Sequence, residues 1–275
     1  MTSSRLLART SPTVVAALLV VTGGCGPGGG PTPAPPSSPV PAPSVSPGFV
    51  VLSDVDDRIL ADIRYASADN FLGRRVDGYQ EPLCLLTAPA AAALRRVQDA
   101  ALAVGRSLKV YDCYRPQRAT DDFLHWAGQP GQDAMKTAFY PRVPKAELVA
   151  RGYLGAPSAH SRGSTVDLTL VDLPATEPDQ RRPAEPVVEC VVATSQRPAD
   201  NSVDMGTGFD CFDPLSHTDS EQVGPVAVEN RRQLRRLMTD GGFVGYDREW
   251  WHFRYRDEPW PDTYFDLPVT RSSAD

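Results

Sequence analysis

The chain is 275 residues long and 41% hydrophobic, and it carries 28 Lys and Arg against 34 Asp and Glu for a formal net charge of −6. That length holds one large domain or two small ones. The acidic balance and the scatter of the basic residues exclude a nucleic-acid partner, and the one basic group, Arg231, Arg232, Arg235 and Arg236, falls on a predicted helix and reads as a solvated face.

Residues 1–47 are not globular material. Arg5 and Arg9 precede an apolar run over 13–21 that ends in Gly23, Gly24 and Cys25, the charged, apolar and small-residue parts of an export signal. The run is well short of the roughly 20 residues that a permanent membrane-spanning helix needs. Cys25 after two glycines resembles a lipoprotein cleavage site, so residues 1–25 are expected to be a signal that leaves a lipid on Cys25. Thr22 stands where that motif usually has an aliphatic residue, which keeps secretion with an unlipidated Cys25 open. Residues 26–47, almost all Gly, Pro, Ser, Ala, Thr and Val, have too little apolar surface to fold and read as a disordered tether. The expected location is outside the cytoplasmic membrane, touched only through the Cys25 lipid, with a folded domain over 48–268 and a disordered tail over 269–275.

Setting Cys25 aside leaves Cys84, Cys113, Cys190 and Cys211, an even number in a chain bound for an oxidising compartment. Four cysteines allow three pairings. Cys84 with Cys113 and Cys190 with Cys211 join segments that the other patterns place close together; buried free thiols are the alternative. No Cys-x-x-Cys spacing supports a cysteine zinc site or a thioredoxin-type centre.

Along the domain, Val50, Val51, Leu52, Val55, Ile59, Leu60 and Ile63 among acids predict a strand-rich entry over 48–63. Thr87 caps a predicted helix with Pro89 in its first turn, Leu94, Val97, Ala101 and Val104 at helical spacing, and Gly105 as its stop. A strand over 108–111 leads to Pro116, which leaves Arg115 at a strand end. A helix is predicted over 118–127 and a short one within 145–155. Over 165–170, Val166, Leu168 and Leu170 alternate with Thr165, Asp167 and Thr169, so Asp167 and Thr169 share a strand face. Residues 172–225 make a long Pro-, Asp-, Ser- and Gly-rich excursion, the kind that rims a functional site. A helix over 229–239 ends at Gly241 and Gly242, and 246–255 closes the domain as an aromatic strand. Helices and strands alternate without a regular strand–helix repeat, which makes the class α+β.

The chemistry concentrates in two motifs. His160 and Asp167 lie either side of Gly163, which permits a tight turn, and Glu249-Trp-Trp-His252 adds a second imidazole with a carboxylate three residues earlier. Two His and one Asp make an open three-ligand zinc shell with the fourth position left for water. Glu249 is then a spare carboxylate able to move the water's proton, and Arg115 a cation for the oxygen that gains charge as an amide is attacked. His125 and His217 have no partner pattern and read as structural. In a regular strand, residues three apart point to opposite faces, so Glu249 and His252 share one ion only if a turn or bulge intervenes.

Ser158-Ala-His160-Ser-Arg-Gly163-Ser-Thr-Val-Asp167, followed by Glu249-Trp-Trp-His252 and preceded by Tyr114-Arg-Pro116, resembles the D-alanyl-D-alanine dipeptidases of the zinc D,D-peptidase superfamily. The likeness covers 65–253 in five ordered blocks, the others being Tyr65-Ala-Ser-Ala-Asp-Asn-Phe-Leu-Gly73 and Asp204-Met-Gly-Thr-Gly-Phe-Asp210. The resemblance implies one zinc on His160, Asp167 and His252, Glu249 as general base and acid, and Arg115 as stabiliser of the intermediate. It also implies substrate contacts from Tyr65, Tyr79, Ser158 and Asp204, the last facing the free ammonium and so selecting a dipeptide over an internal bond. The expected fold is a single α+β domain with a central, mainly antiparallel sheet flanked by helices, the zinc site at the sheet and the long loop over it.

The expected function is zinc-dependent hydrolysis of D-Ala-D-Ala in cell-wall peptide turnover. The alternatives are a D,D-carboxypeptidase or peptidoglycan endopeptidase and, in another class, a non-catalytic cell-wall-binding lipoprotein, which would have no need of Glu249. Two features depart from the family: Thr165 stands where Ala is frequent, and export separates this chain from the cytoplasmic pool on which the resistance enzyme acts.

Overall fold

The computed structural model describes residues 46–175 and 187–275; the export signal, Cys25 and most of the tether fall outside them. In chain order the regular elements are β1 (Phe49–Val51), α1 (Leu52–Val55), β2 (Leu60–Ala61), β3 (Leu85–Thr87), α2 (Ala88–Leu102), β4 (Arg106–Asp112), α3 (Gln117–Gly128), α4 (Lys136–Phe139), β5 (Thr165–Asp172), α5 (Pro225–Asp240), β6 (Phe243–Tyr246) and β7 (Glu249–Tyr255). Five strands form one sheet in the order β2-β4-β5-β7-β6, and β1 pairs with β3 apart from it. Only β2 with β4 is parallel, so the sheet is mainly antiparallel as expected.

Helix α2 lies against β4 and α5 and buries Ala90, Ala91, Leu94, Val97 and Ala101, the apolar face its spacing predicts. Thr87 does occupy its N-cap position, yet the hydroxyl does not cap: Thr87 Oγ1 pairs with Ser164 Oγ at 2.6 Å. The alternation along β5 predicts a half-buried strand. Instead Val166, Leu168, Leu170, Thr165 and Thr169 are all fully buried and Asp167 is 2% exposed, because the long loop covers the polar face. Val203 N donates to Leu170 O at 2.9 Å and Thr169 Oγ1 pairs with Ser202 Oγ at 2.6 Å, which fasten that loop across the sheet.

Several expectations need correction. The segment over 145–155 forms only a 3-10 turn, Lys145–Glu147. The helix predicted from 229 starts at Pro225, a residue suited to a first helical turn. The single closing strand is a hairpin of β6 and β7. Arg231 is not on a solvated face: it is 2% exposed and donates to the carbonyls of Met205, Leu215 and His217, holding the long loop to α5. The supposed tail is ordered. Val269 is fully buried, donates to Gly78 O and accepts from Gln80 N and Glu81 N, and Asp275 N bonds Phe49 O. Its polar composition concealed one apolar anchor and a set of backbone pairs. Both disulfides form as paired from the sequence, with Cα atoms 5.2 Å apart in Cys84–Cys113 and 5.6 Å in Cys190–Cys211.

Candidate active site

One turn and two strands bring together the three candidate ligands. His160 lies in the 3-10 turn Ala159–Arg162, which ends at Gly163 with φ 78°; a Cβ there would stand 2.2 Å from Phe49, so the turn requires glycine. Asp167 on β5 sits directly opposite His252 on β7. His160 Nε2 is 3.2 Å from His252 Nδ1 and 3.3 Å from Asp167 Oδ1, and His252 Nδ1 is 3.1 Å from that oxygen. An ion bound tetrahedrally through bonds of about 2.0–2.1 Å, as zinc is, sets its ligand atoms roughly 3.3 Å apart. The triangle has that size.

Its chemistry fits as well. Asp167 Oδ1 is buried without a hydrogen-bond partner although two imidazole nitrogens face it, an arrangement a shared cation would complete. His160 Nδ1 is 2.7 Å from the Cys113 carbonyl, which can only accept, so the proton is on Nδ1 and the Nε2 lone pair is free to ligate. Burial lowers the His252 pKa, against the pull of Asp167, and favours the neutral ring. Burial opposes ionisation of Asp167, but His160 and His252 outweigh it and hold the carboxyl below the usual range.

Two irregularities in the sheet make the arrangement possible. Between β6 and β7, Gly245 pairs with Phe253 but Tyr246 with Glu249, so Trp250, Trp251 and His252 form a bulge on that side. The bulge puts Glu249 and His252 on one side of the sheet, with Glu249 Oε2 3.7 Å from His252 Nδ1. Between β4 and β5, Val110 pairs with Leu168 but Asp112 with Asp167, which makes Tyr111 the extra residue and turns Asp112 toward the ligands.

Asp112 is fully buried and organises the electrophilic side. Its Oδ2 accepts from Arg115 Nε at 2.9 Å and its Oδ1 from the Tyr79 hydroxyl at 2.5 Å. Arg115 stacks over Tyr65 and Phe123, 5.1 and 4.9 Å from the ring centroids, and its Nη2 lies 3.6 Å from Asp167 Oδ2. Glu249 is 8% exposed; burial, then Asp167 and Asp210, push its pKa well up, against the pull of Arg115.

The expected substrate contacts divide. Tyr65 faces the site, and its hydroxyl donates to Asp210 Oδ2 at 2.8 Å. Tyr79 acts behind Arg115 through Asp112. Ser158 caps the turn carrying His160, accepting from His160 N at 3.3 Å. Asp204 is misplaced: its carboxylate accepts from Thr194 Oγ1 and Gly206 N, and its carbonyl from Asn230. Thr194 and Arg197 beside it line a separate cavity of about 530 Å³ whose described walls contain no ligand, Glu249 or Arg115.

Asp210, at the other end of the same sequence block, stands where Asp204 was expected. It is 3% exposed, and burial, reinforced by Asp167, pushes its pKa up to about 8 despite the Tyr65 hydrogen bond and Arg115. Phe209 stacks on Tyr111 at 4.4 Å, Cys211 is disulfide-bonded and Phe212 N donates to Phe139 O, so Asp210 is pinned from both sides. The sequence signal was its placement between two anchoring residue types, Phe and Cys; nothing in the pattern ranked it above Asp204.

The family described as D-ala-D-ala dipeptidase, within the M15 peptidases, matches residues 46–178 and 192–270. The chain belongs to this family. A D-alanyl-D-alanine dipeptidase of Enterococcus faecalis is 40% identical over 81% of this chain and 98% of its own length. One of Streptomyces coelicolor is 41% identical over 80% and 98%, and one of Enterococcus faecium 36% over 81% and 98%. Among solved structures, a vancomycin-resistance D,D-pentapeptidase in complex with Zn(II) is 15% identical over 63% of this chain and 74% of its own, with a TM-score of 0.29, a likeness too low to argue from. Membership in this dipeptidase family makes the chain a metallopeptidase and bears out the resemblance drawn from the five motif blocks.

Proposed function

We propose that this protein hydrolyses D-Ala-D-Ala to two molecules of D-alanine with one zinc ion on His160, Asp167 and His252, outside the cytoplasmic membrane, in the turnover of cell-wall peptides. The observation that carries the reading is a buried carboxylate paired with a tyrosine, Asp210 with Tyr65, on the same side of the sheet as the ligands, Glu249 and Arg115. A buried carboxyl there, ionised when an ammonium pairs with it, matches a free ammonium close to the scissile amide, which a dipeptide has and an internal bond lacks.

When bound, zinc supplies a Lewis acid that lowers the pKa of water to about 7 and polarises the amide carbonyl. The residues do the rest. Glu249 takes the proton of the attacking water and passes it to the leaving amine, and burial, by raising its pKa, favours its protonated form between the two steps. Arg115, fixed by Asp112 and stacked on Tyr65, presents a charge that remains ionised to the oxygen of the tetrahedral intermediate. Asp210 and Tyr65 set the register of the dipeptide against Glu249.

Lipid attachment at Cys25, which would hold the domain at the outer membrane face on its tether, belongs to the same proposal. Incorporation of labelled fatty acid, lost in Cys25→Ala, is its test; equal labelling of the variant would refute it. The carboxypeptidase reading is tested by comparing D-Ala-D-Ala with a muropeptide ending in D-Ala-D-Ala, and faster cleavage of the longer substrate would overturn the dipeptidase assignment. A non-catalytic binder has no use for Glu249 or Arg115. Glu249→Ala is expected to lose activity on D-Ala-D-Ala while retaining one zinc per chain by elemental analysis. Loss of the metal together with activity would make Glu249 a ligand instead.

A further inference from the structure

We propose that the Cys84–Cys113 disulfide is a support of the metal site: by fixing the Cys113 carbonyl it holds the His160 ring in its ligating orientation and tightens zinc binding. The inference rests on the zinc reading above.

The β4 ladder ends at Asp112, so Cys113 is the first residue beyond it. The position of its carbonyl therefore depends on contacts outside the sheet. That carbonyl accepts from His160 Nδ1 at 2.7 Å, and partners of this kind orient a ligating imidazole and raise its basicity. Two hydrogen bonds hold the next residues: Tyr114 N donates to Leu85 O at 2.9 Å and Arg115 N to His160 O at 3.3 Å. The disulfide is the covalent third, joining Cys113 to Cys84, the residue immediately before β3.

β3 is itself tied to the turn that carries His160. Thr87 N donates to Gly163 O at 2.7 Å, and the Thr87 hydroxyl, diverted from its capping role, pairs with Ser164. The circuit thus runs from the His160 turn through β3 and the disulfide to Cys113, and back to His160 through the carbonyl. Both cysteines are buried, at 4% and 1% exposure. With the bond absent, the carbonyl keeps its chemistry but loses a covalent constraint on its position.

Cys190–Cys211 is the natural control. It closes 21 residues against 29 for Cys84–Cys113, so the two constrain the unfolded chain by similar amounts. It adjoins Asp210, and among the described residues neither of its cysteines is the hydrogen-bond partner of His160 Nδ1, which is Cys113.

The experiment measures zinc affinity of the mature protein by competition with a chromophoric chelator. Cys84→Ser/Cys113→Ser should bind zinc about 10- to 100-fold more weakly than wild type, and Cys190→Ser/Cys211→Ser within about threefold. A first variant within about threefold of wild type, or a control that loses as much, overturns the inference. Wild type that binds no zinc overturns the zinc reading with it, so the two failures are distinct. Should the first variant not fold, Cys190→Ser/Cys211→Ser is treated with a phosphine, which takes an oxygen from water while two electrons and two protons convert the remaining disulfide to two thiols. Zinc weakening in protein that keeps its far-UV dichroism supports the inference; zinc release only in step with unfolding overturns it.

Discussion

Asp210→Asn tests the assignment that separates a dipeptidase from its relatives on longer peptides. The amide keeps the size of the side chain and can still meet the Tyr65 hydroxyl, so the change removes charge with little loss of packing. A hydrogen bond to a charged group contributes about 1.5–3 kcal/mol, which corresponds to a fall of about 10- to 150-fold in kcat/KM on D-Ala-D-Ala. The pH profile sharpens the test. In the metal-free chain burial and Asp167 push the Asp210 pKa up to about 8, and a cation on Asp167 would offset part of that rise, so Asp210 gains its charge on the acid side of that value in the loaded enzyme. The substrate ammonium, with a pKa of about 8, is charged below it. Wild-type kcat/KM should therefore rise on the acid side and decline above about pH 8 as the ammonium is lost, and the Asn variant should lack the rising limb set by Asp210.

Metal-free stability gives an independent reading of the same group. Its folded pKa is raised, so between about pH 4 and 8 the folded chain holds a proton that the unfolded chain has released. Stability contributed this way is full at the acid end and falls as pH rises, by up to about 6 kcal/mol across the window. Asp210→Asn should flatten that slope. D-Ala release and urea melts over pH 5–9 measure both effects; a variant within twofold of wild type with an unchanged rising limb would refute the role.

Three further outcomes follow from the geometry. Asp112→Asn should lower kcat on D-Ala-D-Ala about 10- to 100-fold with zinc retained, because Arg115 loses its anchoring charge and a lost oxyanion donor itself costs about 10² to 10³; unchanged kcat would show that Arg115 is held by its aromatic neighbours alone. Arg231→Ala leaves three loop carbonyls without their donor and should cost about 3 kcal/mol, lowering Tm by about 6–12 °C, whereas the exposed Arg232→Ala should change Tm little. Zinc at about 100 times its Kd should stabilise the fold by about 2.7 kcal/mol in thermal melts, and the His252→Ala variant should not show the gain.

Much of the site was readable because its spacing is local. His160, Gly163 and Asp167 belong to one turn and the strand that follows, and an open ligand set of two His and one Asp has few other chemical explanations. The cysteine pairs were readable because each joins segments that the strand and loop patterns already place close together. Asp210 and Arg231 were not. Asp204 and Asp210 bracket one motif with equal chemical claim, and only the stacking of Phe209 on Tyr111 and the Cys190–Cys211 bond decide which carboxylate enters the site. Arg231 looks like its exposed neighbours until the loop whose carbonyls it satisfies is laid over α5. The ordered C-terminus was hidden likewise, since backbone pairing of Val269 with the 78–81 segment leaves no trace in local composition.

The sequence by itself determined the α+β alternation and singled out the candidate ligands, a spare carboxylate and a cation at a strand end, all of which follow from residue chemistry and periodicity over short windows. Tertiary structure alone decided how they meet. A regular β7 would turn Glu249 away from His252, and a regular β4 would place Tyr111 rather than Asp112 opposite Asp167. The two bulges reverse both outcomes. A bulge is a mismatch between two strands, so it is a property of the pairing and not of either strand's sequence.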